Sequence, residues 1–140
     1  MIAKLSQEES YALLRDARLA RLGCIADGEP YVVPVNFVCD GDVALLHSLP
    51  GRKLEALRQN PRACLQVDLI KDQFHWQSVL AFGNFEEIRT PEERARVMNR
   101  LLSPFPELTP VESFIAGDAA APAPTVFRVR IDRITGVAEG

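Results

Sequence analysis

The chain is 140 residues long, 47% hydrophobic and 25% charged, the make-up of one soluble globular domain, residues 1–140, with one sizeable core. Its net charge is −3, and its basic residues are dispersed as Arg15, Arg18 and Arg21, then Arg52, Lys53 and Arg58, then Arg94, Arg96 and Arg100, which excludes the concentrated basic face of a nucleic-acid binder. No apolar run reaches the roughly 20 residues that span a bilayer, and Met1 to Ser6 has no apolar signal-peptide core, so no membrane partner and a cytoplasmic location are expected.

Taken in chain order, Ser6-Gln7-Glu8-Glu9 is a capping box, in which the Ser6 hydroxyl accepts an orphan helix N–H and Glu9 reaches back. Leu13, Leu14 and Ala17 give that helix one apolar stripe, ending near Arg18. Leu22 to Ala26 reads as a strand. Asp27-Gly28-Glu29-Pro30 turns it into a second strand, Tyr31 to Cys39, and Asp40-Gly41-Asp42 turns that into a third, Val43 to His47. The three are expected to form an antiparallel meander.

Ser48 to Gly51 is a loop, and Arg52 to Gln59 a short helix with Leu54 and Leu57 on one face, stopped by Asn60-Pro61. Ala63 to Val67 is a fourth strand. A fifth starts near Trp76 and runs from Ser78 to Ile88. Thr90-Pro91-Glu92-Glu93 starts another helix, read as a second capping box with proline at its first position. Between Ser103 and Pro124 five prolines forbid regular structure throughout, with Val111 to Ile115 compatible with a helical turn. Phe127, Val129 and Ile131 then alternate with Arg128, Arg130 and Asp132 as a half-buried last strand. Six antiparallel strands with few helices imply a mainly β, closed or nearly closed barrel, since closure removes exposed edges. A doubly wound sheet is excluded, because it needs strict alternation of strands and helices.

Cys24, Cys39 and Cys64 have no CxxC spacing, so neither zinc nor a redox dithiol is indicated, and all three read as buried free thiols. The chemistry concentrates between Pro30 and Asp68. There a strand carries Pro34-Val35-Asn36-Phe37, another ends in His47-Ser48, and Gly51-Arg52-Lys53 opens a helix. Helix-start N–H groups, the Ser48 hydroxyl and the cations Arg52 and Lys53 together describe a phosphate site. Pro34 is read as a kink that helps close the barrel, with a bulge that turns the Val35 and Asn36 backbone towards a planar ligand as the alternative.

In this order and spacing, Pro34 to Phe37, His47-Ser48, Gly51 to Lys53, Asn60 to Arg62, Ser78 to Gly83 and Thr90 to Glu93 resemble the FMN-binding proteins related to pyridoxamine 5'-phosphate oxidase. The likeness is to the branch that includes nitroimidazole-resistance proteins, and it runs from Leu5 to about Arg133. It implies a six-stranded antiparallel split β-barrel, a homodimer, and FMN in clefts between subunits. It implies Lys53 and Arg52 facing the phosphate with Ser48 near it, Val35, Asn36 and Phe37 along the isoalloxazine ring, and Ser78 and Val79 beside the cofactor. His47 is the tentative catalytic residue, able to meet the flavin or a small-molecule substrate, and equally readable as a structural histidine.

The chain lacks the tryptophan- and arginine-containing closing segment of true pyridoxamine-phosphate oxidases, so that activity is not expected of it. An FMN-dependent reductase or oxidase is the leading expectation. The alternatives are a haem-binding or haem-handling barrel with His47 as axial ligand, a deazaflavin in place of FMN, and a ligand-binding barrel without catalysis. His75 reads as exposed and no metal cluster is indicated. Trp76 reads as core or interface packing, with ring stacking as its other use. Phe105 and Phe114 either cover the partner's cleft or pin their loop to the barrel.

Overall fold

The computed structural model of the protein describes residues 1–103 and 124–140. The reading of Val111 to Ile115, and those of Phe105 and Phe114, lie outside the described residues. The elements are β1 (Ile2–Lys4), α1 (Gln7–Asp16), β2 (Leu19–Ala26), β3 (Glu29–Asn36), β4 (Val38–Asp40), β5 (Val43–Ser48), α2 (Arg52–Gln59), β6 (Arg62–Asp72), β7 (His75–Ile88), α3 (Pro91–Leu102) and β8 (Thr125–Glu139).

Local chemistry sets most of these boundaries. At α1 the Glu9 N–H donates to Ser6 Oγ and the Ser6 N–H donates to Glu9 Oε1, both at 3.0 Å, so the capping box forms as read. The box expected at α3 does not form: Thr90 makes no side-chain cap bond. Glu93 is drawn instead to Arg128 on the sheet, at 2.8 Å, where a full charge offers more than an exposed backbone N–H.

Eight strands form one antiparallel sheet in the order β3-β2-β6-β7-β8-β5-β4, with β1 added to β8. This is the mainly β split-barrel class, with two more strands than six. One is the short β1. The other arises because the run from Tyr31 to Cys39 is not one strand: it breaks at Phe37, leaving β3 and β4. The expected meander is therefore corrected. β2 pairs with β3, and β4 with β5, but among the described residues β3 has no hydrogen-bonded neighbour strand other than β2. β3 and β4 are the two edges of the sheet, and Phe37 alone separates them in the chain. The sheet curls until its edges meet at that corner, so the barrel is split there and not closed by a ladder.

Pro34 does not sit at a bulge. The β2–β3 register runs unbroken from Leu19↔Asn36 to Ala26↔Glu29. Lacking an N–H, Pro30 and Pro34 fit only where the backbone donor would point away from β2. They remove two donors from the free edge, which blunts it against pairing with another strand. Register shifts lie elsewhere, in β6 between Ile70 and Asp72 near the β6–β7 turn and between β7 and β8. Phe82 faces Arg133 and Gly83 faces Ile131, so Asp132 is the extra residue. Its carboxylate is held by the two terminal Arg62 guanidinium nitrogens, at 2.6 and 2.9 Å.

Inside the curled sheet, Leu22, Phe37, Leu46, Leu65, Val79 and Phe127 form the core with Leu14 of α1 and Leu54 and Leu57 of α2. The two helices plug the barrel. α3 covers a second cluster on the opposite face of β5 and β8, built from Val38, Leu45, Ile88, Val97, Leu101 and Val126.

Gly83 gives a direct test of the β7–β8 crossing. A Cβ there would fall on the Arg130 carbonyl oxygen and crowd Ile131 Cα. Both obstacles are backbone and cannot rotate away. Gly83→Ala is expected to lower the unfolding free energy by about 1–3 kcal/mol, read as a lower urea midpoint at unchanged slope.

Candidate functional site

The Gly51 side of α2 has no side-chain cap, and the helix starts with the Glu55 N–H donating to Gly51 O at 3.1 Å. The first-turn N–H groups ahead of it are left to whatever lies beyond the helix. Leu54 and Leu57 anchor α2 in the core, which presses its first turn against the β2–β3 hairpin. Lys53 is half-buried there. Burial pushes its ammonium below the ordinary lysine value, and the nearby Cys24 thiol opposes the shift. Among the described residues Lys53 has no carboxylate partner.

Arg52 is handled differently. Its Nη2 lies 3.6 Å from Asp27 Oδ2, and its guanidinium sits over the Tyr31 ring, 5.4 Å from the centroid. The start of α2 therefore presents two cations over one hairpin, Lys53 beside Cys24 and Arg52 beside Tyr31 and Asp27. Cys24 and Tyr31 are cross-strand partners. Such an arrangement can hold a compact anion through charge-assisted hydrogen bonds.

The other sequence-derived positions divide by face. Ser48 is buried at the end of β5, and its hydroxyl donates to Leu49 O at 2.9 Å. His47 is half-buried and points the other way: alternation puts it with Leu45 on the α3 side. Val35, Phe37 and Val79 turn their side chains into the core. Asn36 is exposed on the outer face of the sheet. Ser78 shares that face, where its Oγ accepts from Gln66 Nε2 at 3.1 Å and Gln66 also donates to Asp68 at 2.9 Å. Arg21 completes this network through Asp68 at 3.0 Å and Gln66 at 3.2 Å.

The structure thus gathers Arg52, Lys53 and the hairpin at one place. Asn36 and Ser78 lie on the outer sheet, and two of the three expected ring contacts, Val35 and Phe37, are in the core with Val79. Around the Arg21–Ser78 network the outer face exposes Leu19, Ile25, Val32, Leu80 and Val137. An apolar hollow of about 260 Å³ opens there between Ile25, Val32, Cys64 and Phe82. Trp76 donates its indole N–H to Glu139 at 2.9 Å, and His75 pairs with Asp72 at 2.8 Å. Sequence reasoning missed Asp27, Tyr31 and Cys24 as neighbours of the two cations. The signal available for them was the Asp27-Gly28 turn, which fixes the hairpin that α2 lies against.

Residues 6–138 match the family described as pyridoxamine 5'-phosphate oxidase. An uncharacterized protein of Rhizobium meliloti is 32% identical over 142 aligned positions, covering 94% of this chain and 91% of the relative. Among solved structures, one described as an FAD-binding protein from Mesorhizobium loti superposes with a TM-score of 0.80 at 28% identity, covering 100% of this chain and 99% of the other. Another, described as a putative 5-nitroimidazole antibiotic resistance protein from Bacteroides thetaiotaomicron, gives 0.75 at 22% identity, covering 99% of this chain and 87% of that one, and shares the fold. Among the described residues no helix is long and apolar enough to cross a membrane.

Lys53 carries a sign-definite prediction for the unliganded protein. Its folded-state value lies below the ordinary 10.5, so the charged form costs stability below the folded value. The cost fades as pH rises through the window up to the unfolded value. Lys53→Met is expected to be more stable than the parent at neutral pH, and its advantage should shrink as pH rises through that window. Urea unfolding of both proteins at a series of pH values reads the difference, which cancels the alkaline titration of Cys39 and Cys64, while the Cys24 thiol, no longer lowered by the Lys53 charge, is pushed further up in the variant.

Proposed function

The chain belongs to the pyridoxamine 5'-phosphate oxidase family, and on that premise we propose that it is a flavoprotein that binds FMN through the start of α2. The observation that carries the reading is Lys53, a half-buried ammonium with no carboxylate partner among the described residues, beside uncapped helix N–H groups. A dianionic phosphate supplies the missing counter-charge. The Mesorhizobium loti relative described as FAD-binding supports a flavin in general.

In this reading Lys53, Arg52 and the first-turn N–H groups bind the phosphate. Ser48, whose hydroxyl is committed to Leu49, ends the strand that leads into the site. Val35, Phe37 and Val79 support the cofactor from the core, leaving backbone groups near them for the ring. Asn36 and Ser78 offer polar contacts on the outer face. Bound flavin supplies the redox chemistry, with hydride and electron transfer to a small-molecule substrate as the proposed activity. His47, on the α3 face, tunes or orients substrate at most and is not needed to hold the cofactor.

The proposal includes a homodimer with the cofactor at the subunit interface. Its support is the outer sheet face, where Leu19 and Val32 are each 62% exposed beside a polar network. A patch of that kind is expected to be covered by a second copy, burying about 2,000 Å² or more in total. Light scattering at micromolar concentration should give twice the chain mass, and a monomer mass would count against the interface.

Removing the Lys53 ammonium tests the flavin site itself. Lys53→Ala should weaken FMN binding about ten- to a hundredfold, read by quenching of flavin fluorescence. Unchanged affinity would put the phosphate elsewhere. His47→Ala should keep the yellow flavin spectrum. A haem protein would instead lose its Soret band in that variant, and such a loss would replace the flavin reading.

A further inference from the structure

The two cations at the start of α2 are not equivalent, and the difference comes from the β2–β3 turn. Asp27 and Gly28 have φ of 53° and 79°, the paired left-handed conformation of a two-residue hairpin turn. Asp tolerates it because its short polar side chain can bond locally. The turn places the Asp27 carboxylate against the start of α2, 3.6 Å from Arg52, while the Tyr31 ring supports the guanidinium from β3. Lys53, one residue further on, has no such partner among the described residues.

We propose that Asp27 is the resident counter-ion of Arg52, holding the guanidinium over Tyr31 in the unliganded protein and yielding it to the flavin phosphate on binding. This rests on the reading that the phosphate binds at Lys53. Both partners of the pair are open to water, Arg52 with 55% and Asp27 with 84% of its side chain exposed. An exposed ion pair at this distance is weak and readily exchanged. A phosphate dianion carries about twice the charge of a carboxylate and can take the guanidinium fork with two parallel hydrogen bonds. Tyr31 keeps the plane of the guanidinium throughout, so Arg52 turns between partners without becoming disordered. Asp27 and Tyr31 are thus positioning residues. Their effect is confined to ligands that bring a phosphate.

The test compares FMN with riboflavin, which lacks the phosphate, in a double-mutant cycle. Asp27→Asn keeps the shape and the left-handed turn and removes the charge. It should bind FMN about two- to fivefold more tightly than the parent, with riboflavin affinity unchanged. In the Arg52→Ala background the same substitution should give no gain. Urea unfolding of the unliganded variants checks that the turn is intact. Equal FMN affinity in Asp27→Asn and the parent, or a gain that persists without Arg52, would overturn the proposal while leaving the phosphate site standing. If Lys53→Ala leaves the ratio of FMN to riboflavin affinity unchanged, the underlying site is wrong and this proposal falls with it.

Discussion

The structure turns on Phe37. Its side chain is fully buried, and its N–H donates to Arg18 O at 3.1 Å. At this one residue the chain leaves β3, one edge of the sheet, and enters β4, the other. The edges of a curled sheet are thereby tied covalently without a hydrogen-bonded ladder between them. A large side chain in the middle of the core holds the corner, and the adjacent prolines keep the open edge from pairing elsewhere. Because the barrel is split and not sealed, α1 and α2 can close its ends. The position of α2 then follows: Leu54 and Leu57 must reach the core, so the first turn of the helix is pressed onto the β2–β3 hairpin. The half-burial of Lys53 is a consequence of that anchoring.

Stability and function draw on different parts of the molecule. Apolar burial inside the sheet supplies most of the stabilisation. The charged side chains outside it form a web: Arg58 with Glu87 at 2.6 Å, Arg130 with Glu86 at 3.1 Å, and Arg128 with Glu93 at 2.8 Å. The first joins α2 to β7, the last joins α3 to β8, and the Arg130–Glu86 pair lies within the long β7–β8 ladder. The Arg130–Glu86 pair is exposed and adds little free energy, whereas Arg128–Glu93 and Glu87 are partly buried, and the two helix-to-sheet pairs fix which helix lies over which strand. Lys53 departs from this pattern: it is half-buried and has no acidic partner among the described residues. A protein that desolvates an ammonium without pairing it gives up stability that an anionic ligand can restore on binding.

Much of this was legible in the sequence, for local reasons. The α1 capping box and the bounds of α2 follow from Ser6, Glu9, Gly51 and Asn60-Pro61, and both D-G turns form where expected. The order of strands was not legible. Tyr31 to Cys39 is apolar at nearly every position, so no alternation marks the break at Phe37 or tells which side chains face inward. For the same reason Val35 and Phe37 could not be assigned to the core in advance. β1 is three residues whose pairing depends wholly on the far end of β8. At the site, Arg52 and Lys53 were readable because helix starts have a local signature. Their neighbours Asp27, Tyr31 and Cys24 come from a hairpin whose contact with α2 is tertiary.

The central claim is that the start of α2 holds a flavin phosphate as a dianion. The most direct measurement is the phosphorus-31 resonance of FMN bound to the protein, followed across pH. Free FMN should show the second phosphate ionisation near the ordinary value of about 6. Held by Lys53, Arg52 and the helix N–H groups, the bound phosphate is predicted to stay dianionic, with that step displaced well to lower pH. A bound phosphate that titrates like the free cofactor would contradict the account.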